Sequence, residues 1–145
     1  MRARAWRAAA AIACGLASIG AAPAGRVEID VEGLRSKTGL VQVCMTMRAD
    51  LLNNCAADPA ARRATISAAA PDLIFADLPS GVYAIALFHD ENGNGKLDTR
   101  MGIPIEGVGF SRNPRLWFGP PRFSAAQFKV TGGPVNEAVK LKYFL

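Results

Sequence analysis

Apolar and polar residues alternate with a period of two along several short segments of the chain. At residues 27–31 valine and isoleucine alternate with acids, and at residues 137–143 apolar side chains alternate with lysines. Such alternation is typical of a strand with one face in a core and the other in solvent. The two segments therefore predict a first and a last β-strand.

Other apolar runs predict the strands between these two. Residues 40–47 follow a glycine-bounded turn and are predicted to form a hairpin with the first strand. Residues 82–88 are apolar on both faces, which predicts a central strand covered on both sides. The remaining predicted strands lie at residues 64–68, 73–78 and 125–130.

Two segments interrupt the strand pattern. Asp58 and Pro59 are typical of a helix start and predict a short helical turn there. Residues 101–121 are rich in glycine and proline and show no period, so they predict a long connection. About seven short strands with turns between them favour an all-β class, an antiparallel β-sandwich.

The first 24 residues have the three-part design of a secretory signal peptide. Arginines at positions 2, 4 and 7 precede an apolar stretch at residues 8–22, and small residues stand at Ala22 and Ala24. The stretch is short for a membrane span, and no later run is as long. We therefore expect one domain at residues 25–145, without a membrane span, in the periplasm or outside the cell.

Export changes how the charge and the cysteines are interpreted. The formal charge of +5 falls to +2 without the leader, since 14 basic and 12 acidic residues remain, so a nucleic-acid partner is not expected. Cys14 lies in the leader, and a lipoprotein anchor at Cys14 is the alternative to cleavage after Ala24. Cys44 and Cys55 remain, and an oxidising compartment favours a disulfide between them over two buried thiols.

Residues 90–98 have the spacing of a calcium-binding loop. In such loops the oxygen ligands stand at positions 1, 3, 5 and 9, a main-chain carbonyl at position 7 and a glycine, here Gly95, at position 6. Position 12 is Met101 where a glutamate is usual, so water or Glu106 would have to substitute and binding would be weak. The alternative is a solvated turn rich in Asn and Gly. The predicted Ca²⁺ ligands are Asp90, Asn92, Asn94, the Lys96 carbonyl and Asp98.

The sequence offers little support for an enzyme. His89 is the single histidine, and Ser111 has no recognisable partner for nucleophilic catalysis. The carboxylates near residue 90 are spaced for ion binding rather than across a cleft. We therefore predict no catalytic residues.

The long connection mixes aromatic side chains with arginines, a composition suited to stacking on sugar rings or clamping anionic groups. The alternative is that the aromatics fold back to cover an open sheet edge. The candidate ligand surface comprises Phe110, Arg112, Arg115, Trp117 and Phe118.

Three runs, at residues 78–85, 88–98 and 102–111, carry a family resemblance. They include Leu-Pro-Ser-Gly-Val-Tyr, Phe-His-Asp-Glu-Asn-Gly-Asn-Gly and Gly-Ile-Pro-Ile-Glu-Gly-Val-Gly-Phe. They resemble exported bacterial proteins of the domain of unknown function 2141 family. The resemblance implies a small extracytoplasmic domain and supplies no catalytic residues. The first run also looks like the turn and strand of immunoglobulin-like and prealbumin-like modules, a likeness of fold alone.

Two hypotheses follow from these patterns. The first is an exported, calcium-stabilised binding or interaction module that uses residues 90–123 and takes an envelope protein or a glycan as partner. The second is a purely structural envelope domain that holds no metal and pairs through its free sheet edges. They differ in whether the removal of calcium changes the long connection.

Overall fold

The computed structural model describes residues 20–145, which form ten β-strands and two short helices. The helices are a 3-10 helix, Leu52–Ala57, and a single turn of α-helix, α1 (Phe123–Ala126). The strands are β1 (Gly25–Glu32), β2 (Leu40–Thr46), β3 (Arg62–Ser67), β4 (Asp72–Leu78), β5 (Gly81–Asp90), β6 (Thr99–Arg100), β7 (Ile103–Pro104), β8 (Val108–Phe110), β9 (Phe128–Val130) and β10 (Gly133–Lys140).

The first sheet has the order β10-β1-β4. β1 pairs with β4 in antiparallel fashion and with β10 in parallel fashion, in register from Gly25 opposite Gly133 to Glu32 opposite Lys140. The first and last strands of the described fold are therefore neighbours along their whole length.

The second sheet has the order β3-β2-β5-β8, and β5 is its longest strand. β8 pairs with the second half of β5 and β9 with its first three residues, all in antiparallel fashion. β6 and β7, which have two residues each, form a separate hairpin. β5 is thus the scaffold to which most of this sheet attaches.

Both sheets contribute to one hydrophobic cluster. The inward residues of β1 alternate as the sequence predicts, with Val27, Ile29 and Val31 buried. Burial of apolar surface is the main source of folding free energy. From the other strands the cluster takes residues that include Val41, Val43, Met45, Leu78, Ile85, Leu87, Val130 and Val139.

The opposite face of β5 is also covered, as predicted for the central strand. Ala84 is buried there with Leu52 of the 3-10 helix and Ala126 of α1, and Phe110 packs against them. The disulfide between Cys44 and Cys55 ties β2 to the same 3-10 helix, with 6.1 Å between the two Cα atoms. This confirms the predicted cysteine pair.

Three expectations about local structure are wrong. β1 and β2 lie in different sheets and form no hairpin, because β1 takes β4 and β10 as its partners. The helical turn lies at Leu52–Ala57 and ends at Asp58, whose carboxylate accepts hydrogen bonds from Thr46 and Ala60 instead of starting a helix. The first part of the strand predicted at residues 125–130 is the end of α1.

The predicted signal peptide, residues 1–24, lies mostly outside the described residues. Within residues 20–145 the structure has no helix that is long and apolar enough to cross a membrane.

Candidate functional site

The loop of residues 90–98 begins at the buried end of β5. His89 and Asp90 are both fully buried, whereas Asn92 to Lys96 are exposed. Gly93 and Gly95 adopt φ values of 69° and 76°, a left-handed conformation that glycine takes without strain. The loop therefore turns sharply on a rigid base.

Asp90 holds the loop backbone. Its Oδ1 accepts a hydrogen bond from the Asn94 N–H (3.0 Å), and its Oδ2 accepts from the Gly95 N–H (2.8 Å) and from Gln42 Nε2 (2.9 Å). Burial acts to raise the pKa of Asp90, but these hydrogen bonds outweigh it and lower the pKa. Asp90 is thus a buried, ionised anchor.

Glu106 closes the base of the loop from the other side. It is nearly buried, and its Oε1 accepts from the Glu91 N–H (3.1 Å) while its Oε2 accepts from the Asp98 N–H (3.0 Å). One carboxylate therefore spans the two ends of the loop. Glu106 lies at the loop, where the sequence suggested it as a substitute ligand, but both of its oxygens accept hydrogen bonds from the loop backbone.

The outer half of the loop gathers three polar side chains. Asn92 Nδ2 lies 2.6 Å from Asp98 Oδ2, and Asn94 Nδ2 lies 3.0 Å from the same oxygen. The two amide oxygens each accept one backbone hydrogen bond, from the Asn94 and Lys96 N–H groups respectively. A carbonyl oxygen has two lone pairs, so each amide oxygen retains one for another partner.

The predicted calcium ligands thus fall into two groups. Asp98, Asn92 and Asn94 converge at the surface and fit a cation in residue type, although it is the amide NH2 groups of the two asparagines that face Asp98 in this structure. Asp90 fits less well, because backbone N–H groups and Gln42 already occupy its oxygens. Met101 is 96% exposed and supplies nothing. Residues 20–145 hold no group of three or more His, Cys, Asp or Glu side chains arranged for a metal ion.

A charged cleft of about 340 Å³ adjoins the loop. Arg35 lies on its wall, donating to both oxygens of Glu91 (2.6 and 3.0 Å), and this hydrogen bonding holds the pKa of Glu91 below its usual value. Arg35 also donates to the Leu145 and Ile105 carbonyls. The cleft is lined by residues that include Arg35, Glu91, Asp98, Arg100, Glu106 and Leu145.

His89 ties the loop base to the end of the chain. Its Nε2 lies 2.7 Å from the Thr38 carbonyl, so this nitrogen carries the proton, and Nδ1 lies 2.8 Å from the Tyr143 hydroxyl. The guanidinium of Arg35 stacks over the Tyr143 ring at 4.5 Å. Both ring nitrogens of His89 are therefore engaged within the fold.

The structure divides the candidate ligand surface. Phe110 is half-buried and packs against the small cluster on the face of β5 opposite the main core. Trp117 and Phe118 are 73% and 102% exposed and cover nothing. Arg112 and Arg115 are exposed as well.

The base of this connection is held firmly. Ser111 is fully buried, and its Oγ accepts from the Ile85 N–H (2.9 Å) and donates to the Ala126 carbonyl. Asn113 bonds to β10, donating to the Ala138 carbonyl and accepting from the Lys140 N–H, both at 2.8 Å. Asn113 thereby occupies the free edge of the first sheet.

Several residues of the site were not expected from the sequence. Gln42, Arg35 and Tyr143 lie far from residue 90 in the chain, and only the sheet pairing brings them to the loop. Glu137 is buried beside Arg112, and burial raises its pKa. The sequence signal for this buried acid was Glu137 itself, because it stands on the same face of β10 as Val135 and Val139.

Comparisons with known proteins give one match. A search of curated proteins and a search of solved structures each found none. A family model described as "Uncharacterized protein conserved in bacteria (DUF2141)" matches residues 29–138, which run from within β1 to within β10 and include both loops described above. The chain belongs to the DUF2141 family.

Proposed function

We propose that the chain is an exported binding or interaction module, stabilised by calcium at the loop of residues 90–98. The observation that carries the proposal is the convergence of Asp98, Asn92 and Asn94 at the surface of a backbone already fixed from below. We further propose an immunoglobulin-like or prealbumin-like sandwich, supported by the core cluster to which both sheets contribute.

In this proposal the loop residues have separate roles. Asp90 and Glu106 hold the backbone, whereas Asp98, Asn92, Asn94 and the Lys96 carbonyl would supply oxygens to the ion. Bound calcium would contribute a hard positive charge that offsets the Asp98 carboxylate. With few carboxylates available, the dissociation constant should be about 10⁻⁴ to 10⁻³ M.

Calcium is expected to bind weakly and to raise the melting temperature. At a free concentration ten times the dissociation constant, linkage gives about 1.4 kcal/mol of stabilisation. Calorimetric titration of chelator-treated protein measures the binding. Asp98→Asn should abolish it, and Asp72→Asn, which makes the same charge change on β4, should preserve it.

The purely structural alternative also has an observation in its favour. Asp90 and Glu106 already satisfy the loop backbone with protein groups alone. If several millimolar calcium gave neither binding heat nor a change in melting temperature, the loop would be a self-sufficient turn and this alternative would be preferred.

Export is the second part of the proposal. Cleavage after Ala24 would place the new terminus at Gly25, where β1 begins. We expect the intact mass of the exported protein to correspond to residues 25–145. A mass that retains the N-terminal arginines, or a lipid-modified Cys14, would contradict this.

The working surface is proposed to include the exposed part of the long connection, with an envelope protein as partner. Arg112, Arg115, Trp117 and Phe118 are accessible there, whereas Phe110 packs against the cluster behind β5. No catalytic role is proposed for any residue.

A further inference from the structure

We propose that the exposed tip formed by Trp117 and Phe118 docks onto a bilayer surface that carries anionic phospholipid headgroups. This aromatic tip would insert shallowly while the flanking arginines contact phosphates. The proposal goes beyond the calcium-stabilised module and does not depend on calcium.

The exposure of the aromatic tip is unusual for the size of its side chains. Phe118 is 102% exposed and Trp117 73%, and the two are adjacent in the chain. Large aromatic side chains usually bury much of their surface, and when they remain exposed together they mark a contact site. Tryptophan in particular favours the boundary between acyl chains and headgroups.

The tip is presented by anchored flanks. On one side Ser111 and Asn113 fix the chain to β5, α1 and β10 through the hydrogen bonds described above. On the other side Pro121 is buried and Phe123 packs against the cluster behind β5. The fold thus holds residues 114–120 away from the body of the protein. Docking would therefore cost little additional conformational entropy.

The charge around the tip favours an anionic surface. Residues 107–136 contain no acid and four cationic residues, Arg112, Arg115, Arg122 and Lys129, although the chain without its leader is nearly balanced. Arg115 and Arg122 are exposed and form no salt bridge with any residue in the 20–145 range. Basic residues near an anionic membrane surface are attracted to it, and the attraction falls off within a Debye length.

The tip is less suited to a sugar. Specific recognition of sugar hydroxyl groups needs side-chain hydrogen-bond acceptors as well as donors beside the stacking ring, and arginine supplies only donors. Residues 114–122 contain only proline, arginine, leucine, tryptophan, phenylalanine and glycine, with no carboxylate, amide or hydroxyl side chain. Arginine and aromatic residues together match the composition of interfacial segments.

Vesicle binding tests the proposal. All variants carry Trp6→Phe, which leaves Trp117 as the single tryptophan whether or not the leader is removed. Vesicles of phosphatidylcholine alone are compared with vesicles containing phosphatidylglycerol, in the presence of a calcium chelator. We expect a blue shift of Trp117 emission and greater sedimentation with the anionic vesicles, both reduced by salt.

Matched variants assign the effect to the tip. The double variant Trp117→Ala/Phe118→Ala should reduce sedimentation about tenfold or more, since burial of such a side chain is worth 1.5 kcal/mol or more. Met101→Ala, at an equally exposed apolar position outside the tip, should leave sedimentation unchanged. Arg115→Gln/Arg122→Gln should weaken binding to anionic vesicles. Unchanged melting temperatures would show that each variant is folded.

Two results would overturn the proposal. One is an absence of any emission shift together with equal sedimentation of the parent and the aromatic double variant. The other is an emission shift with soluble glycans but not with vesicles. Either result leaves the calcium proposal standing, because that is tested by titration without membranes.

Discussion

Replacing Asp90 by alanine is expected to destabilise the fold by about 3 kcal/mol at neutral pH. The substitution removes an ionised acceptor from a fully buried site and leaves Gln42 and two loop N–H groups without their partner. Each donor left unsatisfied costs about 1 to 3 kcal/mol, and partial solvation of the loop reduces the total. Denaturant unfolding in the presence of a chelator measures this effect without any contribution from calcium.

Asp98→Ala is the matched control for this experiment. Asp98 bonds mainly to the exposed Asn92 and Asn94 side chains, so in chelator its loss should cost less than about 1 kcal/mol. Equal costs for the two variants would contradict the division of the loop into an anchor and an outer group.

The same anchor predicts acid sensitivity. Asp90 has a lowered pKa in the folded state, so it contributes stability above its unfolded pKa of about 3.8 and loses that contribution as the pH falls through the folded value. The difference in stability between the parent and Asp90→Ala should therefore shrink below about pH 4.

Removing the disulfide is expected to cost about 3 kcal/mol. Cys44 and Cys55 are 11 positions apart, and the loop-entropy model gives this value for a ring of that size. The bond also holds the 3-10 helix, whose Leu52 packs behind β5. The double variant Cys44→Ser/Cys55→Ser, compared with the parent by denaturant unfolding, measures the loss.

Reduction provides the control for this prediction. A reducing agent should destabilise the parent by a similar amount and leave the double variant unaffected. Two titratable thiols in the unreduced, denatured parent would contradict the bond.

Periodicity along the chain was sufficient to locate most strands, because alternation records which side chains face a core. It could not identify strand partners, since each strand has two edges and the pattern is the same for both. β1 and β2 have the spacing of a hairpin, yet β1 pairs with β10 from the far end of the chain. Which strands pair depends on how both sheets pack against the shared core, and one local segment of sequence does not determine it.

The candidate site shows a similar limit. Spacing identified the loop at residues 90–98, since turn geometry is local. The roles of its acids depend on burial, which is not local. Asp90 is an anchor because β2 brings Gln42 beside it, and Glu106 reaches the loop ends because β6 and β7 fold the chain back. Exposure of Trp117 and Phe118 likewise depends on where the flanking residues attach.

The parallel pairing of β1 with β10 has a consequence for the order in which the protein assembles. β1 gains its second neighbour only when residues 133–140 have arrived, so its sheet stays incomplete until β10 is available. If the chain is threaded unfolded across a membrane, it should remain open to the translocation machinery until the last strand emerges. Closure of these long-range contacts would then follow the emergence of β10 on the far side.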